Sequence, residues 1–299
     1  MYNARRFYSA ITPAVAAFGH ATPEKIEKLG SFLNAHHRMV VITGAGLSTE
    51  SGIPDYRSPG RPAHKPIEHQ QFLTNVEKRV RYWSRSMVGY PIVCAVKPNL
   101  AHHSLVDLER AGRVRAHITQ NVDGLLLSAG SRHLLELHGS LHAVRCMDCG
   151  YEVGRDEVQH RLVSMNKAWW DDVQGRSDLS RPDGDFDLGE IDNESFRIPT
   201  CTICDGMLKP SVVFFGDTVP RHVVTSGMWA IEQADAVLVA GSSLAVYSAY
   251  RFVRAAHERN IPVAIVNAGP CRADPVASLK IEALLGDTLS RAMQLVSLA

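Results

Sequence analysis

Four of the six cysteines fall in two short pairs, Cys146-Met-Asp-Cys149 and Cys201-Thr-Ile-Cys204. Two C-x-x-C units in one chain have the spacing of a tetrahedral zinc site with four thiolate ligands. With every position filled by cysteine, no coordination site stays open for water. The expected metal, one Zn2+ ion, is therefore structural, and a zinc hydrolase is excluded. Lys209 and Arg145 flank the pairs and are expected to hold negative charge on the sulfurs. Redox use of a single pair is disfavoured, because neither pair leads from a strand into a helix. Cys94 and Cys271 are left as ordinary thiols.

A second constellation runs from Gly44-Ala45-Gly46 through Ser48-Thr49-Glu50-Ser51-Gly52-Ile53-Pro54 to Asp55-Tyr56-Arg57, directly after an apolar run. A Gly-x-Gly turn after a buried strand lets backbone N–H groups approach a phosphate. The hydride-transfer fingerprint wants Gly or Ala where Thr49 stands, and an acid closing a second strand about twenty residues on. Pro66-Ile67-Glu68-His69-Gln70 offers no strand there. A dinucleotide fits; a dehydrogenase does not. Among the 14 histidines, His138 differs because it ends the run Leu134 to Leu137 and precedes Gly139-Ser140. An imidazole at a sheet edge beside a ribose suits a general base, since its pKa lies near neutrality. Ser48 lacks the context of a nucleophile elbow.

The segments that flank these residues follow one grammar. Pro23-Glu24-Lys25 followed by Ile26, Leu29, Phe32 and Leu33 predicts an amphipathic helix ending near Asn34. Apolar runs Met39 to Ile42, Val114 to Ile118, Leu134 to Leu137, Val212 to Phe215, Ala236 to Ala240 and Val263 to Val266 each break into small or polar residues. Short continuous strands separated by helical stretches predict an α/β fold with a parallel sheet covered on both faces. Ligands of such sheets bind beyond the carboxyl ends of the strands, where Gly, Ser, Thr, Asn, Gln and His collect here. The polar stretch between Cys149 and Cys201, with Trp169-Trp170-Asp171-Asp172 and Arg181-Pro182-Asp183-Gly184-Asp185, is too long for a structureless loop. It reads as part of a small inserted module.

Composition narrows the class. The chain has 299 residues, 45% of them hydrophobic and 21% charged, which is globular and not disordered. Its 32 basic residues against 31 acidic ones give no sign of a nucleic-acid partner. No apolar run approaches the ~18 residues that cross a bilayer, so no membrane span is expected. Residues 1–23 contain Tyr2, Arg5, Arg6, Phe7, Tyr8, Ser9 and Phe18, with no acid before Glu24. Basic, hydroxylated and acid-free is the composition of a mitochondrial targeting segment, which implies the matrix.

Taken together, these residues resemble the sirtuin family of NAD-dependent protein deacylases. The strings that carry the resemblance are Gly44-Ala45-Gly46, Ser51 to Arg57, Thr119-Gln120-Asn121-Val122-Asp123 and Leu137-His138-Gly139-Ser140. Both cysteine pairs, Lys209 to Asp217, Gly241-Ser242-Ser243-Leu244 and Val266-Asn267 continue them in family order over roughly residues 24 to 297. Thr49-Glu50 with Tyr56, Arg81-Tyr82-Trp83-Ser84-Arg85 and Phe215 to Pro220 look like the mitochondrial class II branch, the sirtuin-four type. Arg181 to Asp185 looks most like its plant members. Ser211 departs from the Asp or Glu common at that position, and Ser58 to His69 carries no Tyr-x-x-Arg to grip an acidic acyl group.

The resemblance implies a Rossmann-like NAD-binding part over residues 24–140 and 208–299, and a zinc-binding module over about 141–207. It implies that Gly44, Ala45 and Gly46 cradle the pyrophosphate, with Ser48 also at the cofactor. Gly241, Ser242, Ser243, Val246, Asn267, Ala268, Gly269 and Leu285 would surround the adenosine end. Gln120, Asn121, Val122 and Asp123 would surround the nicotinamide ribose and amide, with Asn121 and Asp123 joining His138 in catalysis. Asp55, Tyr56 and Arg57 would lie on a loop over the cofactor. NAD is then a co-substrate: an acyl-lysine oxygen attacks the ribose C1′, nicotinamide leaves, and His138 takes a proton from a ribose hydroxyl. The products are lysine, nicotinamide and O-acyl-ADP-ribose. Protein mono-ADP-ribosyl transfer, or a non-catalytic zinc-ribbon binding module, are the alternatives. The missing Tyr-x-x-Arg predicts an uncharged medium-length or branched acyl group, with Phe72, Tyr82 and Trp83 near its channel and Arg61, Arg81 and Arg85 as the cations that a succinyl group would need.

Overall fold

The structure, a computed structural model, describes residues 18–57, 66–173 and 194–297. Residues 58–65, with Arg61, and Arg181 to Asp185 of the insert lie outside the described residues, as does most of the N-terminal segment.

Helix α1 (Pro23–Ala35) opens with Thr22 as its cap and Pro23 at its first position, and buries Ile26, Leu29 and Leu33. Strand β1 (Met39–Thr43) follows, then two 3-10 turns, Ala45–Leu47 and Thr49–Ser51. Helices α2 (His69–Thr74), α3 (Val76–Ala95) and α4 (Leu100–Arg110) precede β2 (Val114–Thr119), a short α5 (Leu125–Ser128) and β3 (Leu134–Glu136). The chain then leaves the large sheet through β4 (Gly139–Cys146), β5 (Glu152–Gly154), α6 (Arg155–Met165) and α7 (Lys167–Val173), and returns through β6 (Leu208–Val212). It ends with α8 (Arg221–Glu232), β7 (Ala236–Ala240), α9 (Tyr247–Glu258), β8 (Val263–Val266), β9 (Leu279–Ile281) and α10 (Leu285–Met293). Among the described residues no helix is long and apolar enough to cross a membrane.

Six strands form one sheet in the order β3-β2-β1-β7-β8-β9, and every pairing is parallel. Both faces are dry. Met39, Val41, Leu238 and Val266 alternate onto one face against α1, α4 and α10. Val40, Ile42, Val239 and Ile265 alternate onto the other against α8 and α9, where Phe252 and Ile231 are fully buried. Period-two burial on both faces is why these strands read as unbroken apolar runs.

One expected strand belongs elsewhere. The run Val212 to Phe215 is not a strand of the parallel sheet; Val212 ends β6, which pairs antiparallel with β4 in a three-stranded sheet ordered β5-β4-β6. That sheet packs with α3, α6 and α7 around a third core holding Phe72, Trp83, Met87, Val144, Leu162, Trp169 and Trp170. Its hub is Arg155, sandwiched by the rings of Tyr90 and Trp83 at 4.5 and 5.4 Å and bonded to Gln159. The last residues of the N-terminal segment join the fold: Ala21 is buried, and the Arg291 guanidinium donates to its carbonyl at 3.2 Å.

Candidate active site

Sequence order reverses between β1 and β7, the switch point at which a parallel sheet leaves a crevice beyond its strand ends. A cavity of about 770 Å³ opens there. Its floor is the glycine turn. The Gly46 N–H donates to the Gly241 carbonyl at 3.0 Å, so the turns after β1 and β7 touch backbone to backbone. A Cβ on Gly46 would stand 2.8 Å from that oxygen, which is why no larger residue fits. Gln120, after β2, ties the same turns together: its amide donates to the Thr43 carbonyl at 2.9 Å and to Ser242 Oγ at 2.7 Å. Asn267, after β8, donates to the Gly269 carbonyl at 3.0 Å.

His138 sits on the cavity wall beyond β3. Its Nδ1 lies 3.0 Å from the backbone oxygen of Gln120. A carbonyl only accepts, so Nδ1 carries the proton and Nε2 of the neutral ring is the acceptor. Ser248 Oγ, 2.9 Å away, meets that nitrogen. Burial pushes the imidazole pKa below its ordinary value, against the opposing pull of the Gln120 carbonyl, so the ring rests neutral as a base must. Gly139 fixes this placement. Its φ is +76°, and a Cβ there would collide with the Ser211 carbonyl of β6.

Part of the cavity wall is apolar. Phe214 and Tyr82 meet at 5.4 Å and Phe214 and Phe72 at 5.3 Å, and Ile67, Tyr82 and Phe214 line the cavity. Among the described lining residues the only basic side chains are Arg57 and His138. The segment after β6 is pinned by Asp217, whose carboxylate meets His69 Nδ1 at 3.1 Å and Lys209 Nζ at 3.6 Å. Lys209 is buried and donates to the Val212 carbonyl. It thus serves the cavity side of β6 and not the sulfurs that it flanks in sequence.

The sulfurs of Cys146, Cys149, Cys201 and Cys204 all lie within 4.8 Å of one another. The Cys146–Cys204 and Cys149–Cys201 separations are 3.6 and 3.8 Å. Zinc–sulfur bonds of ~2.3 Å in a tetrahedron give an edge of about 3.8 Å, so the four thiols fit one zinc ion. Backbone N–H groups of Cys149 and Ile203 point at Cys146 and Cys201 sulfurs at 3.5 and 3.4 Å, the support that thiolate ligands need.

Residues 44–248 match the Sir2 family. The chain is a Sir2-family protein. The Drosophila melanogaster "NAD-dependent protein deacylase Sirt4" is 46% identical over 273 residues, covering 90% of this chain and 86% of that protein. The Homo sapiens "NAD-dependent protein lipoamidase sirtuin-4, mitochondrial" is 45% identical over 272 residues, covering 89% and 85%. A solved structure named "Sir2-p53 peptide-NAD+" superposes with a TM-score of 0.72 at 29% identity, covering 90% of this chain and 98% of that one. The sirtuin resemblance, the parallel α/β sheet and the cysteine cluster expected from sequence are all present in this Sir2 chain.

Its cavity gathers Gly44, Ala45, Gly46, Asp55, Tyr56, Arg57, Gln120, Asn121, Val122 and His138 on one side of the switch point. Gly241, Ser242, Ser243, Val246, Asn267, Ala268, Gly269 and Leu285 line the other. Ser48 and Asp123 are not on this wall. Both are buried one layer behind it, bonded to each other at 2.6 Å, and Asn121 donates to Ser48 at 3.1 Å. Phe72 and Trp83 are core, Arg85 is buried and Arg81 is exposed on α3. Lining residues that sequence reasoning missed include Phe18, Glu50, Ser248 and Leu284. Glu50 lay inside the recognised string, and Ser248 lies five residues beyond Ser243, so position along the motifs could have found both. Phe18 had no such signal.

Proposed function

We propose that the chain is an NAD-dependent protein lysine deacylase that releases nicotinamide and O-acyl-ADP-ribose. The observation that carries this is His138, held at a cavity wall with Nδ1 protonated and Nε2 left as an acceptor, beside a glycine turn built for a pyrophosphate. Gly44 to Gly46 hold the pyrophosphate; Ser242, Ser243 and Asn267 hold the adenosine side. Gln120 and Asn121 border the nicotinamide ribose. NAD, when bound, supplies an electrophilic ribose carbon to the acyl oxygen. His138 Nε2 then accepts a ribose hydroxyl proton, so that this oxygen can close on the acyl carbon. Asp123 works through Ser48 and Asn121, keeping both loops in register. The zinc ion on the four cysteines is structural, with no open position for chemistry.

The nucleotide-binding part spans residues 24–140 and 208–299, with the metal module over about 141–207. The name of the human relative supports a mitochondrial address, and the basic, acid-free start of the chain supports import to the matrix. Substrates are acyl-lysine proteins or peptides. The apolar wall of Ile67, Tyr82 and Phe214 favours uncharged, medium-length acyl groups, which accords with the lipoamidase name of that relative.

Incubation with NAD and acyl-lysine peptides, read by mass spectrometry, tests the assignment: O-acyl-ADP-ribose should appear with free lysine. Labelled ADP-ribose on protein without that product would favour mono-ADP-ribosyl transfer instead.

A further inference from the structure

Phe18 precedes the first helix, in a segment whose composition suits a removable leader, yet its ring lines the cavity. Its Cζ lies 3.9 Å from where a Cβ would stand on Gly269. Gly269 is in turn held by Asn267 and by Lys280, which donates to its carbonyl at 3.0 Å.

The chain directly after Phe18 is anchored. The Leu284 N–H donates to the Gly19 carbonyl at 3.3 Å, and His20 Nδ1 meets Asp287 at 3.1 Å. Ala21 is buried, and Thr22 caps α1. The Phe18 ring itself is only half-buried. A fixed backbone that leaves a large apolar ring partly open on a cavity wall suits a flat apolar surface on a ligand.

Sheet order says which part of the ligand comes there. His138 stands beyond β3 at one end of the sheet, the glycine turn beyond β1 is central, and Gly269 and Leu284 follow β8 and β9 at the other end. A dinucleotide with its pyrophosphate on the glycine turn and its reacting ribose at His138 must put its purine at the β8–β9 end.

We infer that Phe18 is an adenine-binding residue that packs its ring against the purine of the bound dinucleotide, an inference that rests on the NAD-dependent assignment. Any leader is then cut on the N-terminal side of Phe18, and a chain trimmed to Thr22 lacks the adenine contact.

Calorimetric titration of ADP-ribose into the full-length chain tests this directly. Stacking of a base on an aromatic ring predicts that F18A weakens binding roughly 5- to 100-fold. F18L, similar in bulk but without the ring, should be nearly as weak, whereas F18W should stay close to wild type. The KM for NAD should rise in F18A with the KM for acyl peptide unchanged. Wild-type affinity in F18A or F18L would overturn the inference while leaving the NAD assignment intact. Loss of cooperative unfolding in both would overturn it too, making the ring a structural anchor. Failure of the wild-type chain to bind ADP-ribose would instead defeat the NAD assignment.

Discussion

The Ser48 hydroxyl donates to Oδ2 of Asp123 across 2.6 Å, joining the turn after β1 to the loop after β2 beneath the cavity. Burial pushes the Asp123 carboxyl pKa upward, and the Ser48 hydroxyl and the Leu125 N–H pull it back. Removing the hydroxyl leaves a buried oxygen short of a donor, which costs about 1–3 kcal/mol. Ser48→Ala should therefore lower the melting temperature and also lower kcat, because Asn121 loses its partner on the same oxygen. Chemical denaturation alongside steady-state kinetics checks both. Wild-type stability would mean that the contact contributes nothing.

His138→Ala should reduce deacylation at least ~10²-fold, the usual loss for a general base, while ADP-ribose still binds. Deacylation near the wild-type rate would remove His138 from the mechanism.

The pH profile follows from the same ring. His138 titrates below the ordinary histidine value because it is buried, and it works neutral. kcat/KM should hold as pH falls through about 6.5 and decline only below that. The linkage has the same sign: the unfolded histidine binds a proton near 6.5 and the folded one does not. This stability is complete above the unfolded value and is lost as pH falls through the folded one. An activity limb above pH 7 that vanishes in His138→Gln would contradict the assignment.

Much of the frame was legible in the sequence because both faces of the sheet are buried. Residues such as Val40 and Val41 must both be apolar, so the strands stand out and their polar ends mark the cavity. Val212 to Phe215 misleads for the same reason: an apolar run says buried, not which sheet buries it. β9, with Lys280 between Leu279 and Ile281, is too short and mixed to read. Ser48 and Asp123 look like cavity residues in a motif, but only three dimensions show that their side chains turn toward each other. Lys209 sits between the cysteine pairs and Asp217 in sequence, and β6 carries its charge to Asp217.

Four convergent thiols imply that zinc supports the fold of the small sheet. A strong chelator should lower the melting temperature and the activity together, and Cys201→Ser should do the same. Reversible loss of activity at constant melting temperature would point to a catalytic metal.

Acyl choice follows from the wall of Ile67, Tyr82 and Phe214. A succinyl carboxylate buried there needs a cationic partner, since an unpaired buried charge costs several kcal/mol. kcat/KM should rank lipoyl and longer aliphatic peptides by fit to an apolar channel, with uncharged medium or branched groups first and the carboxylate-bearing succinyl and methylglutaryl-type groups, like acetyl, well behind. A clear succinyl preference would defeat the apolar-channel account and direct mutagenesis to Arg57, Arg61, Arg81 and Arg85.

NAD and an acyl-lysine are expected to meet at His138 in one cavity. Mass spectrometry of a single reaction with an isotopically labelled acyl-lysine peptide and NAD checks this mechanism. The labelled acyl group should leave lysine only when NAD is present and should be recovered on ADP-ribose, mole for mole with nicotinamide. Labelled acyl released as the free acid without NAD, or NAD cleaved with the peptide still acylated, would contradict it.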